Sequence, residues 1–173
     1  MNPYEVKKAL ENLVLLVDTR EQDTKLFRKR LALVGLPFKR EKLDFGDYSV
    51  ETTTESGAKH SLKDKVCIER KMSLDELCNC YCQGRGRFSR EFERAKVRGA
   101  KLYLLVEDAN WENVINHKYR SKMSPEALKA SITAWLARYD CQLIFCKAET
   151  TSVLIKEILY REMKEYLECK NDA

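Results

Sequence analysis

Two carboxylates and an ammonium stand at the ends of apolar stretches in this sequence: Asp47 after Gly46, then Glu69 and Lys71 within Ile68-Glu69-Arg70-Lys71. On an extended strand, residues two apart share a face, so Glu69 and Lys71 point one way and Arg70 the other. With Asp47 on a neighbouring strand, the three groups converge at one edge of a sheet. Two hard oxygen ligands with open water positions suit Mg2+ or Mn2+. A lysine alongside can orient an attacking water, lower its pKa or balance charge in the transition state. That is equipment for metal-assisted hydrolysis of a phosphodiester. Asp18, closing an earlier apolar run, adds a further acid at a strand end. Taken alone the pattern is weak, because 34% of the residues are charged and solvated strand ends forming ion pairs would look the same.

The elements that must position these groups alternate between strands and helices. Leu13–Val17 is a continuous apolar run that reads as a buried strand. Leu26, Phe27, Leu31 and Val34 recur at helical spacing before Gly35 and Pro37, which predicts a helix over residues 22–34. Phe38–Leu43 and Asp47–Thr53 alternate around Asp44-Phe45-Gly46 as a hairpin or two adjacent strands, and Thr52–Lys65 reads as loop. Val66-Cys67-Ile68 is a short strand, and Ser73 is an N-cap for the helix that follows. A further helix carries Phe88, Phe92 and Ala95 on one face and ends at Gly99, before the strand Leu102–Val106. Ser124-Pro125 opens a helix holding Leu128, Ile132, Trp135, Leu136 and Tyr139 on one side. The strand Cys141–Cys146 and a last helix, Ser152–Leu167, complete the chain. This order predicts a three-layer α/β domain with a mainly parallel or mixed sheet. Residues 1–12 form an N-terminal extension, 13–168 the domain and 169–173 a tail.

The 173 residues are enough for one domain with a sizeable core. No apolar run reaches the length of a membrane span, and the amino terminus lacks the apolar core of a signal peptide, so a cytoplasmic protein is expected. Seven cysteines, an odd number, read as reduced thiols. Cys78, Cys80 and Cys82 lack the spacing of a zinc knuckle and read as small side chains on a helix or turn. Charge is concentrated: between Gln83 and Lys101, seven cations stand against Glu91 and Glu93, a balance equal to the +5 of the whole chain. Arg85 opens this segment, and Arg87, Arg90, Arg94 and Arg98 line one side of its helix, opposite Phe88 and Phe92. The stripe therefore reads as a phosphate-contacting surface, with Glu91 and Glu93 partly neutralising it.

Val17-Asp18-Thr19-Arg20-Glu21, Gly46-Asp47, and Glu69-Arg70-Lys71 followed three residues later by Asp75 together resemble the nuclease domain of the XPF family of structure-specific endonucleases. Gly86-Arg87-Phe88 and the strand Tyr103–Glu107 fit the same resemblance, which runs from about Leu13 to Leu167. It implies a restriction-endonuclease-like α/β/α fold with a central mixed sheet, and Mg2+- or Mn2+-dependent cleavage of DNA in repair or recombination. It makes Asp47, Glu69 and Asp18 the metal carboxylates, and Lys71 the catalytic lysine. Arg20, Glu21, Arg70 and Asp75 complete the site. It also implies a homodimer through the C-terminal helices. The sequence carries no Gly-rich helix-hairpin-helix segment, so a separate DNA-binding partner is expected to supply preference for flaps, forks or nicks. The alternative is a non-catalytic DNA-binding or dimerisation subunit, but none of the carboxylates, nor the lysine, is lost here.

Overall fold

The computed structural model describes residues 1–169. The elements are α1 (Pro3–Glu11), β1 (Val14–Val17), α2 (Lys25–Val34), β2 (Phe38–Arg40), β3 (Tyr48–Thr53), β4 (Lys59–Ser61), β5 (Val66–Lys71), α3 (Leu74–Cys82), α4 (Arg85–Val97), β6 (Lys101–Glu107), α5 (Trp111–Ile115), α6 (Pro125–Tyr139), β7 (Gln142–Cys146) and α7 (Thr151–Cys169). The seven strands form one mixed sheet in the order β2-β1-β3-β5-β6-β7, with β4 paired to β3. β5, β6 and β7 run parallel, with Glu69 level with Leu104 and Lys71 level with Val106. β3 is antiparallel to both β1 and β5.

Alternation along each strand feeds two cores. Leu16, Cys67, Leu104 and Val106 face α3–α6 on one side of the sheet. Leu15, Val17, Ile68 and Leu105 face α1, α2 and α7 on the other. The result is the expected three-layer arrangement. Trp135 and Cys67 lie in the first core, as their apolar neighbours suggested. The helix starts follow from their caps: Ser73 accepts from the Glu76 amide, and Ser124 from the Ala127 amide with Pro125 in the first turn.

Three details depart from the sequence reading. β2 and β3 are not neighbours: β1 lies between them, parallel to β2 and antiparallel to β3. Local alternation cannot reveal this, because the partner strand comes earlier in the chain. The polar stretch read as loop contains β4, which closes a hairpin with β3 through Thr52 and His60. Residues 1–12 contribute α1, whose Asn2 and Glu5 side chains cap each other's backbone and whose Val6, Ala9 and Leu10 are buried in the second core. From residue 170 the expected tail lies outside the described residues.

One glycine sets the site. Gly46 has φ +72°, and a Cβ there would lie 2.7 Å from the Cys67 Cβ and 3.1 Å from the Ile68 carbonyl oxygen. Only glycine combines that backbone angle with so close an approach. The approach lets the Asp47 amide donate to the Ile68 carbonyl at 2.8 Å, seating Asp47 beside β5.

Candidate active site

The C-terminal ends of β1, β5 and β6 and the start of β3 share one edge of the sheet. There Arg20, Glu21, Asp47, Glu69, Arg70 and Lys71 line a groove of about 440 Å³. Arg87 reaches it from α4. Asp47 is braced from both sides: its carbonyl accepts from the Asp18 amide at 2.9 Å, and its Oδ2 accepts from the Arg70 amide at 2.8 Å. Glu69 is 4% exposed and Lys71 7%, and Lys71 Nζ donates to Glu69 Oε1. Lys71 Nζ also lies 5.3 Å from the centre of the Phe88 ring.

Around Lys71 the acids outnumber the cations: Asp47 and Glu69 face one ammonium. Burial, then the charge of Glu69, pushes the Asp47 carboxyl well above the ordinary carboxylate range despite the pull of Lys71. Burial also raises Glu69, and the like charge of Glu91 adds to it, against the opposing effect of Lys71. Burial disfavours the Lys71 ammonium, but Glu69 and Asp47 outweigh it and hold the lysine protonated. Two enclosed carboxylates sharing one ammonium are a donor set that a hard divalent cation would complete. Among the described residues no three His, Cys, Asp or Glu side chains cluster to hold a metal by themselves. Asp47 and Glu69 would therefore leave positions to water or phosphate, the usual habit of Mg2+.

The other residues singled out from the sequence have different surroundings, and of them Asp18 and Asp75 do not line the groove. Asp18 is fully buried beneath the groove, with both oxygens engaged. Oδ1 accepts from the Arg20 amide and Nε, each at 2.7 Å, and Oδ2 accepts from the Leu43 amide at 2.8 Å. Burial would raise its carboxyl, but these bonds more than offset that and hold it below the usual range. It anchors Arg20 and does not open toward Asp47 and Glu69. Arg70 points to the opposite face from Lys71, as strand alternation requires, and makes a bidentate pair with Glu107 at 2.8 Å for both bonds. Asp75 accepts from the Arg120 amide at 2.8 Å and the Ser121 amide at 2.7 Å, tying α3 to the loop before α6. Glu21 lines the groove, with Oε2 accepting from the Tyr48 hydroxyl at 3.1 Å and 3.6 Å from Arg30 Nη1.

The arginine stripe divides. Arg87 faces the groove and Arg90 is exposed. Arg94 Nε donates to the Asp44 carbonyl at 2.6 Å, and Arg98 pairs with the carboxylates of Asp44 and Asp64. Arg85 lies 5.9 Å from the Trp135 ring. Only Arg87 of the five stands at the groove. The groove residues that were not anticipated include Gln22, Arg30, Glu76 and Glu91. Glu91 carried a readable signal. It falls with Phe88, Phe92 and Ala95 on the inward side of α4, a position that solvation does not explain.

The ERCC4 domain profile matches residues 17–158. The chain belongs to the ERCC4 domain family. Two solved structures share its fold. XPF from Aeropyrum pernix matches with a TM-score of 0.60 and 20% identity, over 86% of this chain and 61% of that one. XPF from Aeropyrum pernix in complex with DNA matches with a TM-score of 0.60 and 22% identity, over 88% of this chain and 65% of that one. This ERCC4 domain thus spans less than two thirds of the length of either. A comparison with curated protein sequences finds no relative. The family and fold expected from Gly46-Asp47 and Glu69-Arg70-Lys71 are those of an XPF-type nuclease domain. No described helix is long and apolar enough to cross a membrane.

Proposed function

We propose that the chain is a divalent-metal-dependent DNA endonuclease, acting on branched, flap or nicked DNA in repair or recombination. The observation that supports this most is the convergence of Asp47, Glu69 and Lys71 at adjacent strand ends in one open groove. Asp47 and Glu69 would hold Mg2+ or Mn2+, which when bound polarises a phosphoryl oxygen and makes bound water more acidic. Lys71, protonated and fixed by Glu69, donates an N–H to charge developing on the phosphate. The exposed part of Arg20 is a second such donor. Arg70 braces β5 against β6 through Glu107 and acts on the chemistry only through the backbone amide that it gives Asp47. The Aeropyrum pernix structure solved with DNA supports a DNA substrate here.

The test is incubation of the purified chain with end-labelled single-stranded, duplex, flap, fork and nicked DNAs, with and without Mg2+ or Mn2+. Metal-dependent scission of at least one of them is expected. No scission of any would favour the non-catalytic subunit, or a required DNA-binding partner.

DNA binding is assigned to the Arg87 side of α4. Arg87→Ala is expected to weaken binding and to lower the slope of log affinity against log salt by roughly 0.9. Arg98→Ala, whose guanidinium is taken by Asp44 and Asp64, is expected to leave the slope unchanged. Anisotropy titrations of labelled duplex in Ca2+ at several salt concentrations measure both slopes. Equal slopes for the parent and Arg87→Ala would return Arg87 to the plain surface.

The chain is further proposed to pair as a homodimer through the β7 edge. Among the described residues β7 has no strand on its outer side, and half-buried apolar residues flank it on both faces: Leu136, Leu143 and Phe145 on one, Ile144 and Ile158 on the other. A twofold pairing would cover that surface. Sedimentation equilibrium at micromolar concentration should show twice the 20.2 kDa chain mass. A single species of one chain mass would contradict the dimer.

A further inference from the structure

We propose that Glu91 is a positioning residue: from the buried side of α4 it completes a two-carboxylate clamp that fixes the Arg20 guanidinium over the groove. The inference rests on the nuclease reading for its consequence, and on geometry alone for the clamp. Arg20 lies just beyond β1, and its guanidinium has five N–H groups in a rigid plane. Nε sits 2.7 Å from Asp18 Oδ1 and Nη2 3.2 Å from Asp18 Oδ2, which holds one edge of the plane. Nη2 also reaches the Leu43 carbonyl at 3.4 Å. Nη1 donates to Glu91 Oε1 at 2.6 Å, which holds the opposite edge. Among the described residues these contacts use four of the five N–H groups. The fifth, on Nη1, remains for a substrate oxygen, and the Arg20 side chain is 51% exposed in the groove.

Packing does not account for Glu91. It is 7% exposed and lies between Phe88 and Phe92 on the face of α4 that turns toward the sheet. A buried carboxylate is costly there, and the nearby negative charge of Glu69 makes it more so. An apolar side chain would fill the space without that cost. What a carboxylate adds is a charged, directional bond to Arg20, with Arg94 Nη2 4.0 Å from the same oxygen. With Glu91 removed, Asp18 would still retain Arg20, but the guanidinium plane would be free to swing about the Asp18 edge. The clamp also sets the register between α4, which brings Arg87, and the strand ends that bring Asp47 and Glu69. An oriented donor acts on turnover more than on ground-state binding.

The experiment compares the full chain with Glu91→Ala, Glu91→Gln and Arg20→Ala, plus the Arg20→Ala/Glu91→Ala pair. NMR of the guanidinium nitrogens reads the clamp without any DNA. In the parent, Arg20 should show distinct Nη1 and Nη2 signals from hindered rotation. In Glu91→Ala, where only the Asp18 edge still holds the plane, they should exchange faster and broaden, and in Glu91→Gln, which keeps an accepting oxygen, they should stay as in the parent. Single-turnover cleavage reads the consequence. Glu91→Ala should slow the cutting step roughly ten- to hundredfold, with DNA affinity in Ca2+ and Mn2+ affinity each unchanged within about twofold. Glu91→Gln should recover most of the rate, and the loss should vanish in the Arg20→Ala background.

Unchanged Nη signals in Glu91→Ala would overturn the proposal. So would equal losses in the presence and absence of Arg20, or a fall in Mn2+ affinity, which would make Glu91 a ligand. If the parent cuts no DNA, that result bears on the nuclease reading alone, and the guanidinium signals judge the clamp. Should Glu91→Ala not fold, Glu91→Leu fills the apolar face and carries the same comparison.

Discussion

Lys71→Met is expected to lose cleavage by at least about a hundredfold, the usual cost of removing one donor from a developing anion, and to destabilise the protein as well. The Lys71 and Glu69 side chains are 8% and 5% exposed and bonded to each other. Removing the cation strands a buried carboxylate, which costs about 3–5 kcal/mol when a buried pair is broken from one side. At this chain length that corresponds to a fall in Tm on the order of 10 °C. Lys71→Arg keeps the charge and should retain much of the stability. It should not restore cutting, because a planar fork cannot occupy the place of a compact ammonium above Phe88. Calorimetry and single-turnover cleavage check the two parts. An unchanged Tm for Lys71→Met would mean that the pair is not a structural bond of the folded protein.

Asp47→Asn should produce the opposite pairing of effects. Cleavage is expected to fall by roughly a thousandfold or more, because a charged ligand is lost from the centre that supplies several kcal/mol to such reactions. The metal-free protein should nevertheless keep its Tm or gain a little. Asp47 is enclosed with Glu69 and Glu21 and shares a single ammonium, so neutralising it removes repulsion. Its bond from the Arg70 amide survives, because an asparagine oxygen also accepts. Metal separates the two proteins. Mg2+ at a hundredfold excess over its Kd should stabilise the parent by about 2.7 kcal/mol and leave Asp47→Asn where it was. A variant that unfolds readily without metal, or is stabilised as much as the parent, would contradict the assignment of Asp47 as ligand. Glu69→Gln should also stop cleavage, but at a cost in stability, since the buried Lys71 ammonium keeps an accepting oxygen and loses its charged partner.

Much of the scaffold was legible because the relevant signals are local. The apolar runs of β1 and β6 and the Ser124-Pro125 start of α6 each reflect burial or capping within a few residues. The Glu69/Lys71 alternation was legible for the same reason, and it placed Arg70 correctly on the far face beside Glu107. Long-range facts were not legible. Whether β2 meets β3 or β1 depends on a strand more than twenty residues away in the chain. Asp18 looked like another open carboxylate, and only the fold brings the Leu43 amide and the Arg20 guanidinium to close it. Arg94 and Arg98 looked free because Asp44 and Asp64 approach them from loops distant in sequence. Two signals were present and unused. The Asn2-x-x-Glu5 capping box with Pro3 announces α1. Glu91 falls on an apolar helix face, where an acid calls for a partner.

Asp47 and Glu69 are proposed to hold a divalent cation at the sheet edge, and iron-directed scission of the polypeptide tests that assignment most directly. Fe2+ with ascorbate and peroxide, bound where Mg2+ would bind, cuts the backbone beside its ligands. Breaks are expected close to residue 47 and across residues 69–71, suppressed by excess Mg2+ or Mn2+ and missing in Asp47→Asn. Breaks confined to other segments, such as the cysteines of α3, or breaks at the sheet edge that Mg2+ does not suppress, would contradict it.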